Sequence, residues 1–245
     1  MPTTRPSLLR RDLDVARIKS RFQRNGIVEI REALSRDWAA RMHRFLAREV
    51  PAEWWTVAIR AGGDPEYFPD TPTNQSQIRE AYQRAHKELR TGNFSYCFRR
   101  TLGDHLPDCH CQECQFRVAL EGDEMSEFFS RIGLPAAVPA EMFASRYSRG
   151  SFLSPHHDSG NGRVAFVLNL SRSWLPQWGG LLTFLNDDWR TIRRVCTPEF
   201  NTMCLFALPT NRTVPHLVTQ VVAGHRLAFS GWYATDEGQR CSSGG

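Results

Sequence analysis

From Glu141 onward the chain breaks into short runs rich in Phe, Val, Leu, Tyr and Trp, at 142–147, 163–170, 180–184, 193–197, 203–208, 218–221 and 225–233. Clusters of Gly, Pro and Asn separate them. Runs this short reach stability only by pairing with one another. Several such strands at this spacing, with turn residues between them, restrict the region to a β-sandwich or jelly-roll barrel.

Ahead of Glu141 the texture is different. Residues 11–50 carry apolar positions at helical spacing in two runs, broken by the alternating segment Gly26-Ile27-Val28-Glu29-Ile30. Ser35 and Asp37 sit where an N-cap would precede a helix over 38–50. Residues 61–74, rich in Gly, Pro, Asp and Asn, read as a loop, and helices are expected over 75–89 and 122–132. The expected class is α+β: a β-barrel core in the C-terminal half, preceded and flanked by helices. The division that follows is a helical region over 1–140, a barrel over 141–235 and a polar, disordered tail over 236–245.

A chain of 245 residues with 41% hydrophobic content, 15 Phe and 7 Trp can bury a sizeable core. Its formal net charge of +5 comes from Arg spread along the chain. That spread lacks the block of like charges expected of a nucleic-acid binder. No stretch approaches the ~18 apolar residues of a membrane span. The N-terminus has no apolar core of a secretory signal, and Asp12 and Asp14 count against a transit peptide. Seven Cys, an odd number with four scattered at Cys97, Cys196, Cys204 and Cys241, favour a reducing compartment, the cytoplasm.

The chemistry concentrates in Ser154-Pro155-His156-His157-Asp158-Ser159. In an extended segment alternate side chains share a face, so His156 and Asp158 point together while His157 points away. Two imidazoles and one carboxylate on one side of a metal leave the other positions open for a co-substrate and dioxygen, the donor set suited to non-haem iron(II). A third ligand has to come from a later strand, as His216 or His225. His216 is favoured because it leaves Arg226 one strand further on to bind an anion. An H-x-D triplet alone also fits a solvated loop; the later Gly-Gly strand, remote His and Arg add weight.

Taken together, His156-His157-Asp158, the strand Arg163-Val164-Ala165-Phe166-Val167-Leu168-Asn169-Leu170, Trp178-Gly179-Gly180-Leu181-Leu182, Pro198-Glu199-Phe200-Asn201-Thr202-Met203, His216 and Arg226 resemble the prolyl 4-hydroxylase-like branch of the iron(II)/2-oxoglutarate-dependent oxygenases. The resemblance spans about 141–234. It implies a double-stranded β-helix with iron at its open end, held by His156, Asp158 and His216. It also implies that Arg226 pairs with the distal carboxylate of 2-oxoglutarate, a role its planar fork suits. Tyr147 matches a position where the family often places a tyrosine that contacts the co-substrate, although a core aromatic reads the same way. Asn169 stands where relatives often carry a tyrosine, a departure in the co-substrate pocket. The implied cofactors are Fe(II), 2-oxoglutarate and O2, with ascorbate as an auxiliary reductant. The carboxylate of Asp158 fills the position that halogenating relatives leave open, which favours hydroxylation with release of succinate and CO2.

Two further groups draw attention. His105, Cys109, Cys111 and Cys114 offer four soft donors for a structural zinc, although Cys109–Cys111 is closer than usual zinc-knuckle spacing, and reduced surface thiols or a redox-sensitive cluster fit the same residues. Trp54, Trp55, Phe94, Tyr96 and Phe98, with Arg99 and Arg100, form a candidate substrate wall. The absence of a peptide-binding repeat favours a small-molecule substrate, an amino acid or a carrier-bound derivative. A residue of a protein, as in prolyl hydroxylases, is the alternative within the same chemistry. A non-catalytic cupin-like metal module is the alternative of another class, and metal-assisted hydrolysis lacks a recognisable general base.

Overall fold

The computed structural model describes residues 7–102, 108–134, 137–211 and 213–235; the segment 236–245 expected to be a disordered tail lies outside them. The anticipated double-stranded β-helix is present. One face of the barrel is formed by β1 (Ile27–Arg31), β10 (Thr202–Ala207), β7 (Val164–Asn169), β12 (Arg226–Thr235) and β5 (Ala137–Tyr147), hydrogen-bonded in that order. The opposing face runs β6 (Phe152–His156), β11 (His216–Val218), β8 (Leu182–Leu185) and β9 (Ile192–Cys196).

The strand β4 (Ser95–Thr101) joins the two faces. Its end pairs with β5 through Arg99↔Arg146 and Arg100↔Ser145, and its beginning with β6 through Tyr96↔Leu153 and Cys97↔Phe152. The strands therefore form one continuous antiparallel sheet curled on itself. Interior positions alternate with exterior ones along each strand. The interior holds Phe98, Phe143, Tyr147, Phe184, Phe206 and Val218, all buried.

The helices cover the outside. α1 (Val15–Asn25), α2 (Arg36–Arg44), α4 (Gln112–Glu121) and α5 (Asp123–Ile132) pack against the β5–β12–β7 face, with Phe116 edge-on to Phe229 at 5.0 Å and Phe129 against Tyr233 at 4.4 Å. Full burial of each such aromatic stabilises by about 1.5–3 kcal/mol. α3 (Gln75–Thr91) covers β2 (Trp55–Ala61) and β4 through Ile78, Ala81 and Ala85.

Several elements depart from the sequence reading. The region 1–140 is not only helical: it supplies β1, β2, β3 (Glu66–Pro69) and β4. β2 was not anticipated, and β3 lies inside the stretch read as a loop. β3 pairs only with β2, through Thr56↔Pro69 to Ile59↔Glu66, so its Pro69 falls at an edge where a missing N–H is tolerated. The helix expected over 38–50 closes as α2 followed by a π-helical turn at Phe45–Glu49, where Val50 N–H reaches back to Phe45 O. The strand expected over 218–221 begins two residues earlier, at His216.

One turn holds the barrel's open end. Gly179 and Gly180 have φ of +73° and +65°, in the left-handed region. A Cβ on Gly179 would lie 1.9 Å from Gln220 O, and one on Gly180 would lie 3.1 Å from Arg226 Cδ. Gly179→Ala is accordingly expected to cost about 2–4 kcal/mol of stability, from backbone strain plus overpacking. A urea unfolding curve measures it; a midpoint equal to that of the parent would contradict this account of the turn.

Candidate metal centre and substrate cavity

β6 ends at His156, and Asp158 follows in the loop beyond it. β11 pairs antiparallel with β6 so that His216 lies directly opposite His156. The register delivers three donors to one point. His156 Nε2 is 3.4 Å from Asp158 Oδ1, and His216 Nε2 is 3.5 Å from Asp158 Oδ2. The imidazole centroids are 4.2 Å apart. All three donors lie within 4.8 Å of one another. His157 turns away toward the edge of Trp189. His225, the other candidate for the third ligand, is not in this group; its Nδ1 meets Ser148 Oγ at 2.9 Å.

Backbone carbonyls set the imidazole tautomers. His156 Nδ1 faces Ser154 O at 3.0 Å and His216 Nδ1 faces Val214 O at 2.9 Å. A carbonyl can only accept, so each Nδ1 carries a proton and each Nε2 is the nitrogen turned toward Asp158. Burial raises the proton affinity of Asp158, but hydrogen bonds and charge from His156 and His216 outweigh it and hold the carboxyl well below the usual carboxylate range. Burial, reinforced by His216, lowers the pKa of His156. Trp232 Nε1 donates to Asp158 Oδ2 at 3.0 Å and fixes the carboxylate's orientation. Neutral imidazoles beside an anionic carboxylate form the donor set that a divalent iron requires.

The three donors open into a cavity of about 320 Å³, at the small end of ligand-site volumes. Arg226 lines it from the start of β12 and is almost completely buried. Its Nη2 donates to Asn169 Oδ1 at 3.2 Å, and its guanidinium carbon lies 5.1 Å from the Tyr147 ring centroid. Its Nε has no partner, and no carboxylate pairs with it among the described residues. Burial lowers its pKa, the mark of a desolvated cation. Tyr147 stacks on Phe98 at 4.8 Å, and burial raises its pKa. Asn169 Nδ2 also donates to Thr202 O. Arg226 thus touches both Tyr147, which lines the cavity, and Asn169, which does not.

The substrate wall divides. Tyr96, Phe98 and Arg100 line the cavity along one side of β4. Burial pushes the Tyr96 phenol up to about 12. Arg100 lies over the Phe143 ring at 3.8 Å and is paired with Glu141. Arg99 falls on the other side of the strand, where Asp70 holds it at 2.5 Å, and does not line the cavity. Trp54 and Trp55 also lie outside it; Trp55 sits in the core under Arg146. Phe94 does line the cavity and stacks on His156 at 5.6 Å.

Arg60 was missed by the sequence reading. It projects from β2 over the Phe94 ring at 5.1 Å, lines the cavity and has a buried Nε without a partner. The alternation Thr56, Ala58, Arg60 would have placed it had β2 been recognised. Of the Cys/His group, the Cys109, Cys111 and Cys114 sulfurs converge within 4.8 Å, while His105 lies outside the described residues. Burial and the two neighbouring thiols push Cys114 up to about 12.

Two histidines, a carboxylate and a buried arginine converge at the open end of the barrel. Residues 142–234 match the family model described as the 2OG-Fe(II) oxygenase superfamily. Those residues, less than half of the chain, are therefore similar to a 2OG-Fe(II) oxygenase domain. A search of curated proteins finds no match. Among solved structures, a 2OG-Fe(II) oxygenase family oxidoreductase from Burkholderia pseudomallei is 17% identical with a TM-score of 0.61, over 91% of this chain and 92% of its own. A Pseudomonas putida prolyl-4-hydroxylase is 17% identical with a TM-score of 0.53, over 90% and 98%. The non-heme alpha ketoglutarate dependent epimerase SnoN from nogalamycin biosynthesis is 14% identical with a TM-score of 0.53, over 90% and 82%. These likenesses establish the shared fold. The family implies Fe(II), 2-oxoglutarate and O2.

Trp232→Phe removes the hydrogen bond to Asp158 but keeps the ring. It is expected to weaken iron(II) binding about ten- to hundredfold with little change in unfolding midpoint. Anaerobic metal titration followed by competition with a chelator measures it; unchanged affinity would remove Trp232 from the site.

Proposed function

We propose that the chain is an iron(II)- and 2-oxoglutarate-dependent hydroxylase of a small, anionic, amino-acid-like molecule. In this reading His156, Asp158 and His216 hold the iron, and Arg226 binds the distal carboxylate of 2-oxoglutarate. The observation that carries it is Arg226: a buried guanidinium without a carboxylate partner, in the same cavity as the converging donors. A desolvated, unpaired cation is costly, and a co-substrate carboxylate supplies the missing partner. A non-catalytic metal module has no need of it.

Iron(II) with 2-oxoglutarate and dioxygen supplies the oxidising power for C–H hydroxylation, with succinate and CO2 as the co-products. The chain's own residues bind and orient. Asn169 and the Tyr147 face fix the plane of Arg226, and Trp232 fixes Asp158. Phe94, Phe98, Phe143 and Tyr96 give the cavity apolar walls that limit water. Arg60 reaches it with a buried Nε that has no partner among the described residues, whereas Arg100 is already paired with Glu141. This supports a substrate carboxylate held by Arg60, one aromatic layer from His156. The cavity volume supports an amino acid rather than a folded partner, with a carrier-bound amino acid admitted only if its tether leaves through the mouth. A peptidyl substrate, as in prolyl hydroxylases, is the outcome that the assay below separates.

The test is anaerobic titration of the iron(II) protein with 2-oxoglutarate, following the visible metal-to-ligand charge-transfer band. The wild type is expected to show the band, and His156→Ala to lose it. Arg226→Ala is expected to need roughly thirtyfold or more 2-oxoglutarate, the effect of losing a buried charge pair worth about 2–5 kcal/mol. No band with iron demonstrably bound would overturn the assignment. Succinate release is then compared across free amino acids and prolyl peptides. With an accepted amino acid, Arg60→Ala is expected to raise its KM by roughly tenfold or more while leaving 2-oxoglutarate affinity unchanged. Turnover of peptides alone would move the substrate to a protein.

A further inference from the structure

The cysteine group lies on the far side of the β5–β12 sheet from the oxygenase cavity, where the chain leaves β4 and enters α4. Cys111 is the N-cap of α4, and its Sγ accepts a hydrogen bond from Cys114 N at 3.4 Å. Cys111 and Cys114 therefore form a C-x-x-C pair whose sulfurs are turned to the same side by the first helical turn. Cys109, two residues earlier, adds a third sulfur to the same point. Three sulfurs within 4.8 Å, all partly accessible, are more than packing requires, since the other cysteines among the described residues are buried singly or as a pair in the core.

Crowded thiols resist ionising side by side, so three thiolates here need a cation among them, and the surroundings add further positive charge. The start of a helix carries a partial positive charge. The backbone N–H of Cys114 already points at a sulfur. Arg41 reaches across from α2, donating to Gln112 Oε1 and Gln115 Oε1, and lines the same surface cavity as Cys109 and Cys114. A cluster of three thiolates around a divalent ion carries net negative charge, and Arg41 with the helix start offsets it.

We infer that Cys109, Cys111 and Cys114 form a second metal site, which binds zinc through three thiolates and clips the segment before α4 to that helix. Thiolates select soft or borderline ions, and zinc accepts them without redox chemistry. Each thiol releases its proton to solvent as it binds. No fourth side chain joins the sulfurs among the described residues, so the site is defined by its three thiolates. The function is structural. α4 carries Glu113, whose Oε1 accepts from Thr101 Oγ1, and Arg117, which donates to Met142 O. Fixing the start of α4 therefore braces β4 and β5 from behind, and through β4 the wall of the cavity.

The test uses the full chain and two probes, zinc and cobalt(II). Reduced wild-type protein, freed of metal and reloaded, is expected to bind about one equivalent of zinc that survives His156→Ala. Cobalt is expected to give a near-ultraviolet thiolate-to-metal charge-transfer band that zinc displaces and that His156→Ala retains. Cys111→Ser and Cys114→Ser, made singly, are each expected to weaken zinc binding by at least about tenfold and to diminish the band. Zinc is expected to raise the wild-type melting temperature by linkage, and a chelator to lower it. A wild-type protein with reduced thiols that shows no thiolate-to-cobalt band would overturn the inference. So would a band untouched by both serine variants, or thiols whose reaction with a disulfide reagent is unaffected by zinc.

Discussion

The pairing of β11 with β6 is the constraint on which the centre rests. His216 and Val218 of β11 are paired on both sides, with β6 and with β8, and Leu217 with β8 alone. That double pairing fixes which of its side chains faces the interior. Because side chains alternate with period 2, a slip of one residue would turn His216 outward and put Leu217 in its place. Two strands distant in sequence thus present their imidazoles face to face, and the short loop after β6 needs only to bring Asp158 between them. Backbone carbonyls contribute further, since Ser154 O within β6 and Val214 O just ahead of β11 orient the two rings.

The second constraint is electrostatic. Taking a guanidinium out of water costs several kcal/mol. Asn169 and the face of Tyr147 return part of that, a cation over an aromatic ring contributing about 0.5–2 kcal/mol. The remainder is left outstanding among the described residues, and it is what the proposed co-substrate carboxylate would return. The barrel folds around this deficit because Arg226 sits on β12, the strand most extensively paired in the molecule. Rigid flanking strands can hold a group in a position that a loop would relax out of.

How far the site could be read from sequence follows from the range of the physics involved. His156 and Asp158 were legible because alternation along one strand is a local rule. His216 could be preferred over His225 because only one choice leaves Arg226 in reach of the same pocket. Arg99 and Arg100 show where local rules stop. Alternation says that one of them faces the cavity, but which one depends on the face of β4 that the barrel encloses, a tertiary fact. β2 escaped notice because a short apolar run reads as readily as helix or strand, and Arg60 was lost with it. The π-helical turn after α2 has no sequence signal that we can name.

β4 is hydrogen-bonded to both faces of the barrel, and with β2 it supplies much of the mouth while contributing none of the metal donors. In the function proposed above, chemistry and recognition are written in different parts of the chain, which meet where Phe94 stacks on His156 and Phe98 on Tyr147. Such a separation makes the enzyme evolvable. Drift in the N-terminal third can retune which molecule is admitted while selection holds the oxidising machinery fixed. Variant libraries aimed at new substrates belong at Arg60, Tyr96, Phe98 and Arg100, where one mutation changes the lock without disturbing the engine behind it.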